Sequence, residues 1–342
     1  MPVSQYSSLL PELVQLESII AQVPSFVEVN TIAEVSDKTH VFPIYAISMG
    51  SDNPDAPVIT LVGGVHGLER IGTQVVLAAL ETLIERLSWD IHFKHLLEHV
   101  RIHFIPLLNP VGMLNHWRSN GEHVDLMRNA PVESEKRAAF LVGGQRISTR
   151  IPWYRGKANE PMQTESQALC DFIITKTFKA PLSVVIDCHS GFGIRDRLWF
   201  PYAKTTQPIR DIGKLYQLQN LLNKTHPYHP YVFEPQSKHY LCHGDLWDHL
   251  YDLSIDSQTT LLPLTLEMGS WRWVKKNPLQ LLKILGLYHP IKPHRIKRVL
   301  RGHQTLIDFL IQATASYKNW LEMDNDSEFC ERAKKLWYKD QA

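Results

Sequence analysis

Hydrophobic and polar positions fall into two kinds of repeat along this chain. "FVEVNTIAEV" and "HVFPIYAISMG" alternate closely enough to predict two strands, and the Pro/Asp/Asn loop "DNPDAP" separates them from the next element. Val58 to Val62 ("VITLV") is an unbroken apolar run, the pattern of a central strand covered on both faces, and Gly63 and Gly64 end it. From Thr73 to Leu87 the positions Val76, Leu77, Leu80, Leu83, Ile84 and Leu87 recur at helical spacing. "VRIHFIPLL" predicts a second apolar strand, Glu165 to Ile174 a helix, "LSVVID" a third strand and "LLPLTLEM" a fourth. Strands alternating with helices predict an α/β fold, a central sheet with helices on its faces. No composition shift marks a cut. We therefore expect one domain over residues 1–320, with an N-terminal helix and edge strands in 1–50 and a core over about 55–290, followed by a charged peripheral tail, 321–342.

Composition narrows the functional classes. Thirty-six basic against thirty-five acidic side chains leave no bulk electrostatic argument for nucleic acid or an anionic membrane, so a small partner is expected. Cys170, Cys188, Cys242 and Cys330 are widely spaced and form no C-x-x-C, which suits reduced thiols in a cytoplasm. The first segment, "MPVSQYSSLLPELVQLESIIAQ", has no basic leader region and is interrupted by Glu12 and Glu17, so it reads as an amphipathic helix. No run approaches the roughly 18 apolar residues of a membrane span. The expectation is a cytoplasmic chain with neither a nucleic acid nor a membrane as partner.

Chemistry gathers where apolar strands end. In "GGVHGLER" His66 and Glu69 follow the first central strand, at the place where open α/β sheets form ligand crevices. The spacing alone is weak, because 17 histidines and 18 glutamates give such a pair about once by chance. His95 and Glu98 are the decoy: same spacing, no glycine, no strand directly before them, and so an exposed pair on a helix. A catalytic zinc takes three protein ligands and keeps one position open, and two histidines with one glutamate are a known set. "LSVVIDCHSG" offers His189 in the position parallel to His66, although a core histidine satisfied by backbone is the plainer reading of His189 alone. "LLPLTLEMGS" places Glu267 at the end of the fourth strand, where an acid is costly unless it works or is paired. Arg118 and Arg128 lie in a Gly- and Asn-rich stretch between these elements. Singly, each reads as surface charge; in a cleft, each suits an oxyanion or a carboxylate.

The order His66-x-x-Glu69, "NP" with Arg118, "VDLMRN", "DCHS", Tyr-x-x-x-Gly and "TLEMGS" resembles the zinc carboxypeptidases of the carboxypeptidase A type, from about Val58 to Ser270. The resemblance implies a mixed, mostly parallel twisted sheet flanked by helices, the phosphorylase/hydrolase-like architecture, and a cytoplasmic bacterial-type member. It implies one zinc ion on His66, Glu69 and His189, with Asp125 orienting His66. It further implies amide hydrolysis by zinc-activated water, with Glu267 as general base and then acid and Arg118 polarising the scissile carbonyl. Arg128 would grip the substrate's terminal carboxylate, and Tyr240, in "HYLCHGDLWDHLY", would close over it. The substrate class implied is a small peptide or acyl amino acid.

Departures from the family pattern bear on substrate. Met127 stands where a carboxylate-binding asparagine is usual, so Asn129 or His243 is expected to help Arg128. The segment after His189 is long and carries Arg195 and Arg197, read as a solvated loop or, alternatively, as receptors for an acidic side chain. Trp247 occupies the position that reads the terminal side chain and suggests an apolar pocket floor. Two other readings follow: a deacylase of N-acyl amino acids, of the aspartoacylase or succinylglutamate desuccinylase type, and a catalytically silent zinc-binding module, which would leave Glu267 and both arginines without a purpose.

Overall fold

The unbroken apolar runs become the buried middle of one sheet. The computed structural model describes residues 9–283, 285–322 and 328–339. Among the described residues, eight strands run in the order β1-β2-β4-β3-β5-β8-β6-β7. Strands β1 (Glu28–Ser36) and β2 (Val41–Gly50) pair antiparallel at one edge, and β2 pairs antiparallel with β4 (Arg101–Ile105). The centre is parallel: β4, β3 (Val58–Gly63), β5 (Leu182–Ser190) and β8 (Thr260–Met268). Beyond β8, β6 (Arg197–Phe200) pairs antiparallel with it and parallel with the other edge, β7 (Val232–Pro235). Every residue of β3 and β5 is buried, as expected of strands with helices on both faces.

The helices are α1 (Pro11–Ile20), α2 (Arg70–Trp89), α3 (Ile91–Leu97), α4 (Pro110–Leu114), α5 (Thr164–Thr177), α6 (Ile212–Thr225), α7 (Leu246–Ser254), α8 (Trp271–Lys276), α9 (Pro293–Ala315) and α10 (Glu328–Trp337). Leucines and isoleucines of α1, α2, α6 and α9 fill the core on one face of the sheet, whereas α5 and α7 cover the other. The period of two in a strand then sorts the residues of β5. Val184, Ile186 and Cys188 belong to the first core and Val185 to the second, so Asp187 and His189 share the face of Val185. Cys188 is core packing, as its alternation predicts. The chain past residue 321 includes α10, whose Cys330, Ala333 and Trp337 lie in the first core, with the Trp337 indole donating to the Phe233 carbonyl at 2.9 Å.

β5 extends farther than its apolar run, through Cys188, His189 and Ser190, because the ladder meets no breaker before Gly191, whereas β8 ends at Met268, as its sequence predicts. His189 and Glu267 are consequently direct neighbours in register across β5 and β8. One close approach brings the third element to them. A Cβ on Gly72, in the first turn of α2, would lie 2.1 Å from the Cys188 carbonyl oxygen, so only glycine lets α2 start against the end of β5.

Candidate active site

Glu69 immediately precedes α2 and does not cap it; its carboxylate turns instead toward β5. There Oε2 accepts from the Ser190 backbone N–H at 2.9 Å and lies 3.2 Å from His189 Nδ1. His66, reached through Gly64 in the left-handed region (φ 69°), completes a cluster with its ring centroid 5.1 Å from that of His189. One donor atom from each of His66, Glu69 and His189 lies within 4.8 Å of the others, and all three residues are buried. This is the one such metal-capable cluster among the described residues. His66 Nδ1 is buried with no hydrogen-bond partner, an arrangement that costs free energy unless something occupies the lone pair. Two imidazoles and a carboxylate with an orphaned ring nitrogen fit zinc.

Electrostatics sets the protonation of the three. Burial, then the Arg118 guanidinium, hold the His66 imidazole well below its ordinary pKa, so it is a neutral donor. His189 moves well above: burial opposes the charge, but Asp187 and Glu69 outweigh it. For Glu69 burial likewise loses to His66, His189 and Arg118, and the net displacement is downward.

Asp187, which the sequence reading passed over, is fully buried behind His189. His189 Nε2–H donates to Asp187 Oδ2 at 2.6 Å, and Trp247 Nε1–H donates to the same oxygen at 2.8 Å. A buried carboxylate facing Nε2 fixes the proton there and leaves Nδ1 toward Glu69. The signal was present as an acid two residues before His189 on one strand face. Trp247 is thereby accounted for: it does not line the cleft, and its expected place as pocket floor is corrected.

Asp125 stands 3.8 Å from His66 Nδ1 through Oδ1, while its Oδ2 accepts from Arg118 Nε at 2.8 Å. Arg118 also donates from Nη1 to Glu69 Oε1 at 3.2 Å, and its Nη2 lies 2.6 Å from His66 Nε2, so it is seated against the cluster. Glu267 Oε1 accepts from the Phe192 backbone N–H at 3.0 Å. Its carboxyl is pushed up to about 8, first by burial and then by the neighbouring Glu69 charge.

A cavity of about 220 Å³ joins these groups to Arg128 and Tyr240. Arg128 is buried, donates from Nη1 to the Met127 carbonyl at 3.2 Å and from Nη2 to Tyr240 Oη at 3.4 Å, and has Asp245 Oδ2 at 3.8 Å. Val142, Trp153, Trp199, Gln236, Thr265 and Tyr288 supply neutral walls that sequence reasoning missed, since each comes from a different segment.

Other expected residues are elsewhere. Asn129 does not line the cavity: its amide donates to the Arg155 carbonyl at 3.0 Å and its oxygen accepts from the Gln163 N–H at 2.6 Å, so both ends brace loops. His243 is occupied by the Ser134 N–H at 3.1 Å and Glu133 at 2.7 Å. Arg195 is exposed, and Arg197 pairs with Glu234 at 3.1 Å while stacking on Phe192, so neither faces the cavity. The decoy pair His95 and Glu98 is an exposed ion pair at the end of α3, 3.4 Å apart.

Known proteins share this fold and parts of this sequence. The solved structure of thrombin activatable fibrinolysis inhibitor superposes over 88% of this chain and 72% of its own with a TM-score of 0.67 at 19% identity, a likeness of fold. Carboxypeptidase D of Homo sapiens is 23% identical over 213 residues, 62% of this chain and 14% of its own length. Carboxypeptidase SOL1 of Arabidopsis thaliana is 28% identical over 108 residues, 30% of this chain and 22% of its own length. The chain thus spans less than a quarter of either curated relative. A family model described as Zinc carboxypeptidase matches residues 14–272, and the chain belongs to that family.

Proposed function

We propose that the chain is a zinc-dependent carboxypeptidase that hydrolyses the last amide bond of a small peptide. One observation carries the reading. A single cavity holds the His66, Glu69 and His189 cluster, Glu267 and Arg118 together with a buried Arg128 and Tyr240. The first groups suit amide hydrolysis; the last two suit a terminal carboxylate.

His66, Glu69 and His189 would hold zinc, which when bound would supply a Lewis acid to polarise the scissile carbonyl and acidify water. Glu267 takes the proton from the attacking water and returns it to the departing amine. Its acidity near 8 lies close to neutrality, which suits a group that must both accept and donate. Arg118 turns from His66 to the carbonyl oxygen as negative charge develops there, while its Nε remains anchored on Asp125. Arg128 binds the terminal carboxylate through its fork, and the Tyr240 hydroxyl, already against the guanidinium, closes the same end. With no asparagine at position 127 and Asn129 engaged elsewhere, Arg128 and Tyr240 carry that grip without an amide. The neutral walls favour an uncharged, apolar or aromatic terminal side chain.

The deacylase reading draws on Met127 and on Arg195 and Arg197; Met127 lines the cavity, whereas the two arginines lie outside it and lend that reading no support. A cytoplasmic location is supported by four free, buried thiols. No described helix is long and apolar enough to cross a membrane.

The test is a matched pair of peptides, one with a free and one with an amidated C-terminus, assayed beside an N-acetyl amino acid. Release of the last residue from the free peptide alone is expected. Equal cleavage of the amidated peptide, or hydrolysis of the N-acetyl amino acid alone, would overturn the carboxypeptidase assignment.

A further inference from the structure

The near-neutral total conceals a segregated charge. From Gly269 to Ile307 the sequence contains no aspartate or glutamate, yet it carries nine lysines and arginines. Arg272 is paired with Asp196, and Arg295 donates to the carbonyls of Trp273 and Lys276 at 3.1 and 3.5 Å, which docks the start of α9 on α8. Among the described residues, no ion pair engages Lys275, Lys276, Lys283, Lys292, Lys297, Arg298 or Arg301, all exposed. The two helices thereby present their cations side by side, around a groove of about 420 Å³ that Arg272, Lys276, Arg295 and Arg298 help to line. Basic residues also occupy the first turn of α9, where the helix dipole favours acids and none is present. Stability alone does not account for that placement.

Between the helices the usual sorting of side chains is reversed. In the 3₁₀ turn Pro278–Leu282, Gln280 is fully buried and donates to the Gly286 carbonyl, while Leu279, Leu281 and Leu282 are 73%, 56% and 84% exposed. Gln280 holds the turn down and the leucines stand out from it. Trp271, 46% exposed, is tied to the cleft by its indole donating to the Gly191 carbonyl at 2.8 Å. Solvated surface does not call for three neighbouring outward leucines; an amphiphilic boundary does.

We propose that this strap, residues 271–283 and 285–301, docks on an anionic lipid bilayer, with Leu279, Leu281 and Leu282 entering the headgroup and acyl boundary and the flanking lysines and arginines meeting lipid phosphates. Shallow apolar insertion combined with a basic surround is the pair of signals a peripheral anchor needs, since either alone binds marginally. A second copy of the chain is a poorer occupant, because an isologous contact would set the same cations against each other. An acidic polypeptide accounts for the cations and leaves the leucines unexplained. Ser190 Oγ donates to the Tyr288 carbonyl at 2.6 Å and Tyr288 lines the catalytic cavity, so the docked face adjoins the cleft. The inference is independent of the proposed hydrolysis.

The test uses the full chain and sedimentation with vesicles of phosphatidylcholine, alone or with about 30% phosphatidylserine. Partition at least about ten-fold stronger onto the anionic vesicles, weakened by salt, is expected. The Leu279→Ser/Leu281→Ser/Leu282→Ser variant and the Lys275→Glu/Lys276→Glu/Lys283→Glu variant should each lose about ten-fold or more of that partition, with unchanged melting temperature and unchanged turnover of soluble substrate. The proposal fails if wild type ignores anionic vesicles, binds neutral ones as well, or keeps its binding in both variants. It also fails if the leucine variant abolishes a dimer, or if only a polyglutamate probe binds.

Discussion

At the ends of β3, β5 and β8 the protein buries charge, and along the strap from Trp271 to Arg301 it exposes leucine. Both reverse the ordinary sorting of side chains, but they differ in how the reversal is held. Within the cleft the buried carboxylates are hydrogen-bonded: Asp187 receives His189 and Trp247, Asp125 receives Arg118, and Glu69 receives Ser190. On the strap one inward Gln280 anchors a turn whose leucines touch nothing comparable. Satisfied polar burial keeps a reacting geometry rigid. Unsatisfied apolar exposure is a surface waiting for a different solvent. The first difference to exploit is therefore between activity and stability.

Glu267→Gln should separate the two most sharply. The amide keeps the shape and the hydrogen bond from Phe192, yet it cannot shuttle a proton, so turnover should fall by about 10²–10⁴-fold. Zinc content should remain one ion per chain. Thermal stability at neutral pH should hold, because a carboxyl pushed up to about 8 is already mostly uncharged there and the amide is its neutral isostere. Turnover close to wild type in the zinc-loaded variant would remove Glu267 from the mechanism.

Asp187 sharpens the comparison inside the cleft. Asp187→Asn offers an amide to a ring N–H that needs an acceptor, so His189 loses the partner that fixes its tautomer. Zinc affinity, read by competition with a chelator, should weaken about 10–100-fold, and Trp247→Phe should weaken it less. An unchanged zinc affinity in Asp187→Asn would reduce the carboxylate to packing.

How much of this could be read from the sequence follows from the range of the forces involved. Apolar runs and helical periods are local, so the central strands, α2 and α5 were legible with small errors at their ends. His66, Glu69, His189 and Glu267 were legible because a polar residue at the end of an apolar strand is itself a local anomaly. The walls of the cleft were not: Trp153, Trp199 and Gln236 meet only after the sheet has ordered their segments. Asn129 illustrates the converse, a residue beside the right arginine whose side chain is claimed by Arg155 and Gln163. The strap was hidden for another reason. A net charge sums over the chain, and the residues outside this segment carry thirty-five acids against twenty-seven bases, an excess that offsets its nine cations.

The smallest expected effect tests the strap as a surface. Leu61, in β3, is 0% exposed and Leu282 is 84% exposed, although each is a leucine with an apolar residue on one side and a polar one on the other. Leu61→Ala should cost about 2–5 kcal/mol in urea denaturation, the lost transfer free energy plus the cavity left behind. Leu282→Ser should change stability by no more than about 0.5 kcal/mol, since the side chain is already in water in the folded state and in the unfolded one. A cost for Leu282→Ser comparable to that of Leu61→Ala would mean that the leucine packs against protein in solution. The contrast between cleft and strap would then disappear, because both would be ordinary interior.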